Sequence, residues 1–225
     1  VPYLEGYEMS LPLVVVEGPA GSGKSTLSRL IADRFKLGLV TSSLSKQTGS
    51  RSFDRQDAVI RSWVNDVDKI LTALQEPNGA VIDRLGLSQW VYGRLRSPST
   101  PEEEMGPITL SWVSTEQTIG ALWRDLDCRA RETGLRVGRS PSILLIVIVP
   151  ERKVLEDRRG KADRVFPWTI EQELELYSRA KTLAKQRSWV FTKKVVVTSF
   201  NDASTVLQAV DSFLKPVTDR VSLYD

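Results

Sequence analysis

The 225-residue sequence contains no histidine. That absence excludes a Ser-His-Asp triad, a Cys-His pair, an HExxH zinc site and a histidine general base. Cysteine is nearly absent as well. Cys128 stands alone, so neither an internal disulfide nor a CxxC metal clip can form, which fits a reducing compartment and predicts a cytoplasmic location. No apolar run reaches the roughly 18 residues that a membrane-crossing helix needs, so no membrane partner is expected. The opening VPYLEGYEMSLPLVVVEG has no basic leader and no small-residue cleavage site, and does not read as a signal peptide. Charge of one sign is also scarce. The 31 Lys and Arg against 28 Asp and Glu leave +3, with a pI near 9.0, which permits a polyanionic partner without demanding one. Any catalysis must therefore run on carboxylates, Lys, Arg, hydroxyls or a bound metal.

Hydrophobic residues at 41% and charged residues at 26% describe an ordinary globular chain. No internal repeat or second core is evident, so residues 1–225 read as one domain, with 1–10 as a loosely held arm. Leu11–Glu17 (LPLVVVE) has the β-branched pattern of a buried parallel strand. A helix is predicted over Lys24–Lys36, with Leu27, Leu30, Ile31, Arg34 and Phe35 along one face. Leu37–Thr41 reads as a second strand and residues 42–52 as a polar loop. From Asp54 to about Gln75, Val59, Ile60, Trp63, Val67, Ile70, Leu71 and Leu74 keep a helical period. Pro77-Asn78-Gly79 is a turn before a third strand, Ala80–Asp83.

Residues 97–107 read as an exposed loop, and residues 111–134 as a helix with Trp112, Val113, Ile119, Leu122, Trp123 and Leu126 on its apolar stripe. Ile143–Val149 (ILLIVIV) predicts the central strand, followed by the charged segment Glu151–Arg164, a helix near 169–188, a strand at Val195–Thr198 and a helix at Ala203–Leu214. The order βαβαβ(αα)βαβα predicts an α/β fold of three layers: a mainly five-stranded parallel sheet with helices on both faces.

Between the first strand and first helix lies Gly18-Pro-Ala-Gly21-Ser22-Gly23-Lys24-Ser25-Thr26. It satisfies G-x-x-x-x-G-K-S/T in the strand-to-helix context that the motif needs. Gly18, Gly21 and Gly23 permit a backbone that aims successive N–H groups at phosphate oxygens, and the helix N-terminus adds its dipole. Lys24 is placed to reach the β- and γ-phosphates and Ser25 to offer a hydroxyl to Mg2+. The motif predicts a bound nucleoside triphosphate, with Ser22 and Thr26 also lining the site. Asp83, at the tip of the third strand, suits either the Mg2+ shell or proton acceptance from an attacking hydroxyl. Arg84 follows it into the crevice where ligands bind in such sheets.

Val81-Ile82-Asp83-Arg84 through Ser88 to Tyr92 resembles the D-R-x-x-x-S-x-x-x-Y segment of thymidylate kinases. Phe53-Asp54-Arg55 is similar to that family's F-x-x-D-R region with altered spacing, and Glu151–Arg164 to its arginine-bearing lid, here about 151–168. Glu171 and Tyr177 complete the lid-to-helix pattern. The resemblance implies a P-loop kinase fold and an ATP- and Mg2+-dependent phosphotransferase. Arg84 would hold the acceptor, and Arg55 would contact its phosphate or base. Arg158, Arg159, Lys161 and Arg164 would close over the transferring phosphoryl group, where cations are most effective. The alternative for that cluster is a solvated helix, since Glu151, Glu156, Asp157 and Asp163 interleave it. The string from Glu17 to Ser25 also resembles the E-G-x-x-G-x-G-K-S of deoxynucleoside kinases, which implies that Glu17 lies near the acceptor hydroxyl; pairing with Arg84 is the other reading.

Phe53, Trp63, Trp90, Tyr92, Trp112 and Trp168 are candidates either to stack on an acceptor base or to fill the core, with Trp90 and Tyr92 favoured for stacking by their place after the Asp-Arg tip. The basic run Lys185, Arg187, Lys193 and Lys194 reads as a solvated surface before a nucleic-acid contact. Two departures bear on the acceptor. Ala20 stands where thymidylate kinases carry an acid, and their R-E-P-G segment is missing after the second strand. The expected acceptor is a nucleotide or nucleoside. The alternatives are a hydroxyl carried by DNA, as in 5-hydroxymethyluracil, and an ATP-sensing module that phosphorylates nothing. A homodimer is also among the expectations.

Overall fold

Parallel strands buried on both faces need near-continuous apolar runs, and two segments of this chain supply them. β1 (Leu11–Glu17) pairs along its full length with β4 (Pro141–Ile148), Leu11 with Pro141 through Glu17 with Val147. This computed structural model describes residues 10–41, 55–96, 108–133, 139–161, 166–186, 190–199 and 203–215. Around the central pair, β2 (Gly38–Val40), β3 (Ala80–Asp83) and β5 (Thr192–Thr198) complete a five-stranded sheet of order β2-β3-β1-β4-β5. Every pairing is parallel.

The helices are α1 (Lys24–Phe35), α2 (Arg55–Gln75), α3 (Gly86–Arg96), α4 (Ile108–Glu132), α5 (Arg152–Lys161), α6 (Ile170–Gln186) and α7 (Ala203–Leu214). The period-two alternation of β1 divides them between the two faces of the sheet. Val14 and Val16 pack with Leu27 and Ile31 of α1 and Val206 and Val210 of α7. Leu13 and Val15 pack on the other side with Ile70 of α2, Trp90 of α3, Trp112 of α4 and Tyr177 of α6. The expected three-layer α/β sandwich is the one observed.

Several boundaries differ from expectation. The charged segment after β4, expected as an arginine-bearing lid or a solvated helix, contains a helix, α5. β5 begins at Thr192 rather than Val195, because Glu116 of α4 accepts from the N–H groups of Val190 and Thr192 and from the Thr192 hydroxyl. Two residues assigned to apolar stripes point outward: Leu30 is 40% exposed and Trp63 is 53% exposed. Residues 1–9 of the expected arm, the whole polar loop at 42–52 and the loop at 97–107 lie outside the described residues. Among the described residues, no helix is long and apolar enough to cross a membrane.

Candidate active site

The carboxyl ends of β1 and β3 lie side by side, Val16 opposite Asp83, and the chain turns sharply after each. After β1, Gly18 has φ +149, and a Cβ there would meet the Ile148 carbonyl oxygen at 2.5 Å, so only glycine fits. At the far end of the loop Gly23 caps α1 with φ +93 and no side-chain hydrogen bond, which leaves the first-turn N–H groups facing the loop. Lys24 folds back over this turn. Its Nζ donates to the Pro19 carbonyl at 2.5 Å and to Ser22 Oγ at 3.2 Å. Burial, then the nearby Arg84 guanidinium, pushes the Lys24 ammonium down to about 7, against the pull of Asp83, Glu17 and Glu173. Ser25 and Thr26 are exposed on the first turn of α1.

Ser25 Oγ donates to Asp83 Oδ2 at 2.6 Å, while Asp83 Oδ1 is buried with no hydrogen-bond partner among the described residues. An orphaned buried acceptor costs about 1–3 kcal/mol, and a hydrated divalent cation would satisfy it. A hydroxyl and a carboxylate are hard oxygen donors of the kind Mg2+ takes when phosphates and water complete its shell. Ser25 and Asp83 are the residues that would hold it.

The turn after β3 is stranger. Arg84 adopts φ +66, a left-handed conformation unusual for a residue with a Cβ. Its guanidinium lies over the Tyr92 ring, 5.3 Å from the centroid. Glu17 braces the turn from β1: Oε1 accepts from the Leu85 N–H at 2.7 Å and Oε2 from the Ser88 hydroxyl, which also contacts the Tyr177 hydroxyl at 3.1 Å. Glu17 has no exposed surface, and burial lifts its carboxyl to about 7 although both hydrogen bonds oppose the rise. From α2, Lys69 Nζ reaches the carbonyls of Asp83 and Arg84 at 3.1 and 2.8 Å. Its partner Asp66 is lifted by burial to about 6.

A second cluster joins the loop to α5 and α6. The fully buried Glu173 carboxylate accepts from the Ala20 N–H at 2.7 Å, Tyr92 OH at 2.9 Å, Arg159 Nη2 at 2.6 Å and Trp168 Nε1 at 3.1 Å. Arg159, also buried, donates to the Ala20 carbonyl from Nε and Nη2 at 3.0 and 2.8 Å, and its guanidinium stacks on Phe166. Arg158 Nη1 reaches the Gly21 carbonyl at 3.3 Å.

No family model matches the chain. A 93-residue stretch is 41% identical to the bifunctional pantoate ligase/cytidylate kinase of Synechococcus sp. (strain CC9605), covering 39% of this chain and 19% of that protein. The chain thus spans about a fifth of the length of that curated relative. Among solved structures, deoxyadenosine kinase from M. mycoides with its products dCMP and a flexible dCDP superposes with a TM-score of 0.56 at 15% identity, over 90% of this chain and 98% of that one. The same enzyme with bound dATP gives 0.50 at 14% identity over the same shares. The fold is that of the P-loop kinases.

Within this P-loop kinase fold, Gly18, Gly21, Ser22, Gly23, Lys24, Ser25, Thr26, Glu17, Asp83, Arg84 and Tyr92 gather at the carboxyl edge of β1 and β3. Trp90 does not join them as a stacking platform; it is a core side chain, 4% exposed. Trp112 is wholly buried, whereas Trp168 borders Tyr92 with ring centroids 5.7 Å apart. Arg158 and Arg159 do face the phosphate loop, but Nε and Nη2 of Arg159 are committed to Ala20 and Glu173, making it a fastener between α5 and the loop. Phe53 and Arg164 lie outside the described residues, as does the side chain of Arg55 at the start of α2. Glu171, expected to complete the lid pattern, is an exposed partner of Arg152; the carboxylate that matters is Glu173. Its signal was a charge on a buried stripe, since Glu173, Tyr177, Ala180 and Ala184 recur at helical spacing and are all buried.

Proposed function

We propose that this chain is a Mg·ATP-dependent kinase transferring the γ-phosphoryl group to a nucleoside hydroxyl or to the phosphate of a nucleotide. The observation that carries the proposal is the Ser25–Asp83 contact with its orphaned buried oxygen, set beside Lys24 on one side and Arg84 on the other. Phosphoryl transfer needs positioned positive charge and an in-line acceptor more than it needs a titrating base, and these residues provide the charge. The loop N–H groups and Lys24 would bind and orient the triphosphate. Mg2+, when bound by Ser25 and Asp83, would neutralise charge on the phosphate oxygens. Arg84, flanked by Tyr92, would hold the acceptor. Glu17 is placed to shape the Arg84 turn, since both its oxygens are taken by Leu85 and Ser88 and no surface is open to a substrate hydroxyl. Arg158 lies near enough to the loop to add charge over the phosphates.

The fold shared with deoxyadenosine kinase supports a nucleoside or nucleotide as acceptor. A labelled-phosphate assay offering deoxynucleosides, dTMP, dCMP and hydroxymethyluracil DNA side by side tests this. Label is expected in a small-molecule acceptor and lost in Lys24→Ala. Label confined to the polymer would overturn the acceptor class, and label in none of them, with ATP still bound, would overturn the kinase reading.

A further inference from the structure

Lys69 lies on the buried face of α2, next to Asp66, Ile70 and Ala73 and 5% exposed. Burying an ammonium group is costly, and a methionine of similar length could pack in the same place, so core stability does not explain a lysine there. The position of its Nζ does. It bridges two successive carbonyls, of Asp83 and Arg84, at 3.1 and 2.8 Å. The second belongs to the residue in the left-handed conformation, φ +66. Such a backbone is disfavoured for a residue with a Cβ and persists only where its surroundings over-determine it. Here the Arg84 N–H donates to the Val16 carbonyl at 3.0 Å and the Leu85 N–H to Glu17, so Lys69 closes the third side. Asp66 stands 3.8 Å away as counter-charge and is itself held by Gln89 Nε2 of α3 at 2.6 Å.

We propose that Lys69 is a positioning residue: by clamping both carbonyls of the β3 tip it keeps Asp83 against Ser25 and points Arg84 toward Tyr92. The proposal rests on the reading of Asp83 as a metal-holding residue given above. With the clamp gone, the turn is free to relax from its left-handed form, and Asp83 loses its register with Ser25 before the phosphate loop itself is disturbed.

Affinity for a fluorescent ATP analogue, measured with Mg2+ and with EDTA, tests it on the full chain without reference to any acceptor. Lys69→Met is expected to weaken Mg2+-dependent binding about tenfold, the lower end of the usual effect of residues that orient metal ligands, while binding in EDTA moves less than about twofold. Lys69→Arg should recover part of the loss. Adding Lys69→Met to Asp83→Asn should cost nothing further, and amide exchange at Arg84 and Leu85 should quicken while β4 stays protected. Equal losses with and without Mg2+, no loss, or full additivity with Asp83→Asn would each overturn the proposal. So would wild-type binding indifferent to Mg2+, because Asp83 would then hold no ion to be positioned. Should Lys69→Met fail to fold, Lys69→Gln is held to the same criteria. An acceptor screen that labels nothing would sink the kinase reading and leave these binding results standing.

Discussion

A lysine buried at a phosphate loop cannot keep its usual affinity for a proton. With Lys24 pushed down to about 7, much of the population is neutral at pH 8, and a triphosphate arriving beside it restores the charge. Binding of Mg·ATP should then take up close to one proton per site at about pH 8 and almost none at about pH 6. Calorimetry in two buffers of different ionisation enthalpy reads this directly; binding heats indifferent to the buffer at pH 8 would refute it. The glycines, Lys24, Ser25 and Asp83 were legible from sequence because their spacing and their place between strand and helix encode backbone geometry. Lys69 and Glu173 were not, because each lies inside an apolar helical stripe and acts through contacts with segments remote in the chain. A charge where periodicity demands an apolar residue was the one local sign of either.

At the scale of elements, α5 and α6 hold the phosphate loop from outside the sheet, α5 through Arg158 and Arg159 and α6 through one carboxylate. Glu173 ties the Ala20 N–H, Arg159, Tyr92 and Trp168 together. Glu173→Ala would strand the buried Arg159 guanidinium and three other donors, and is expected to destabilise the protein by about 3–5 kcal/mol, with Glu173→Gln milder because it keeps an acceptor oxygen. Urea denaturation measures both, and a loss under about 1 kcal/mol for the alanine variant would count against the hub. The sequence suggested arginines closing over a phosphoryl group, yet Arg159 is bound to protein. Whether a cation serves substrate or scaffold depends on what stands opposite it, and the sequence of 151–164 carries no record of Glu173 on another helix.

For the molecule as a whole, the alternation of apolar runs and helical stripes foretold the layered parallel sheet, since periods of two and of 3.6 residues dictate which faces must be covered. Sheet order is a matter of long-range pairing, and the sequence expectation went no further than parallel strands with Ile143–Val149 central, where β4 lies between β1 and β5. The buried acids make overall stability depend on pH. Glu17, lifted from 4.5 to about 7, favours folding in its protonated form, so its contribution is whole below about 4.5 and is lost as pH rises through about 7. Asp66, lifted from 3.8 to about 6, acts in the same direction over an overlapping window, while the effect of Lys24 falls above it. The decline in folding stability between about pH 5 and 7.5 should flatten in Glu17→Gln by about 2 kcal/mol. An unchanged slope would show that Glu17 does not titrate there.

The bond from the Ala20 N–H to Glu173 spans 153 residues of sequence. The phosphate loop is written in nine consecutive residues near the beginning of the chain, yet the carboxylate that fixes its third position is synthesised long afterwards, and β1 itself awaits β4 as its neighbour. A ribosome that has translated the whole loop motif has therefore not yet made the proposed nucleotide site. Contacts so distant in sequence close slowly, so the proposed site would be completed late in folding, together with the helix that carries Glu173.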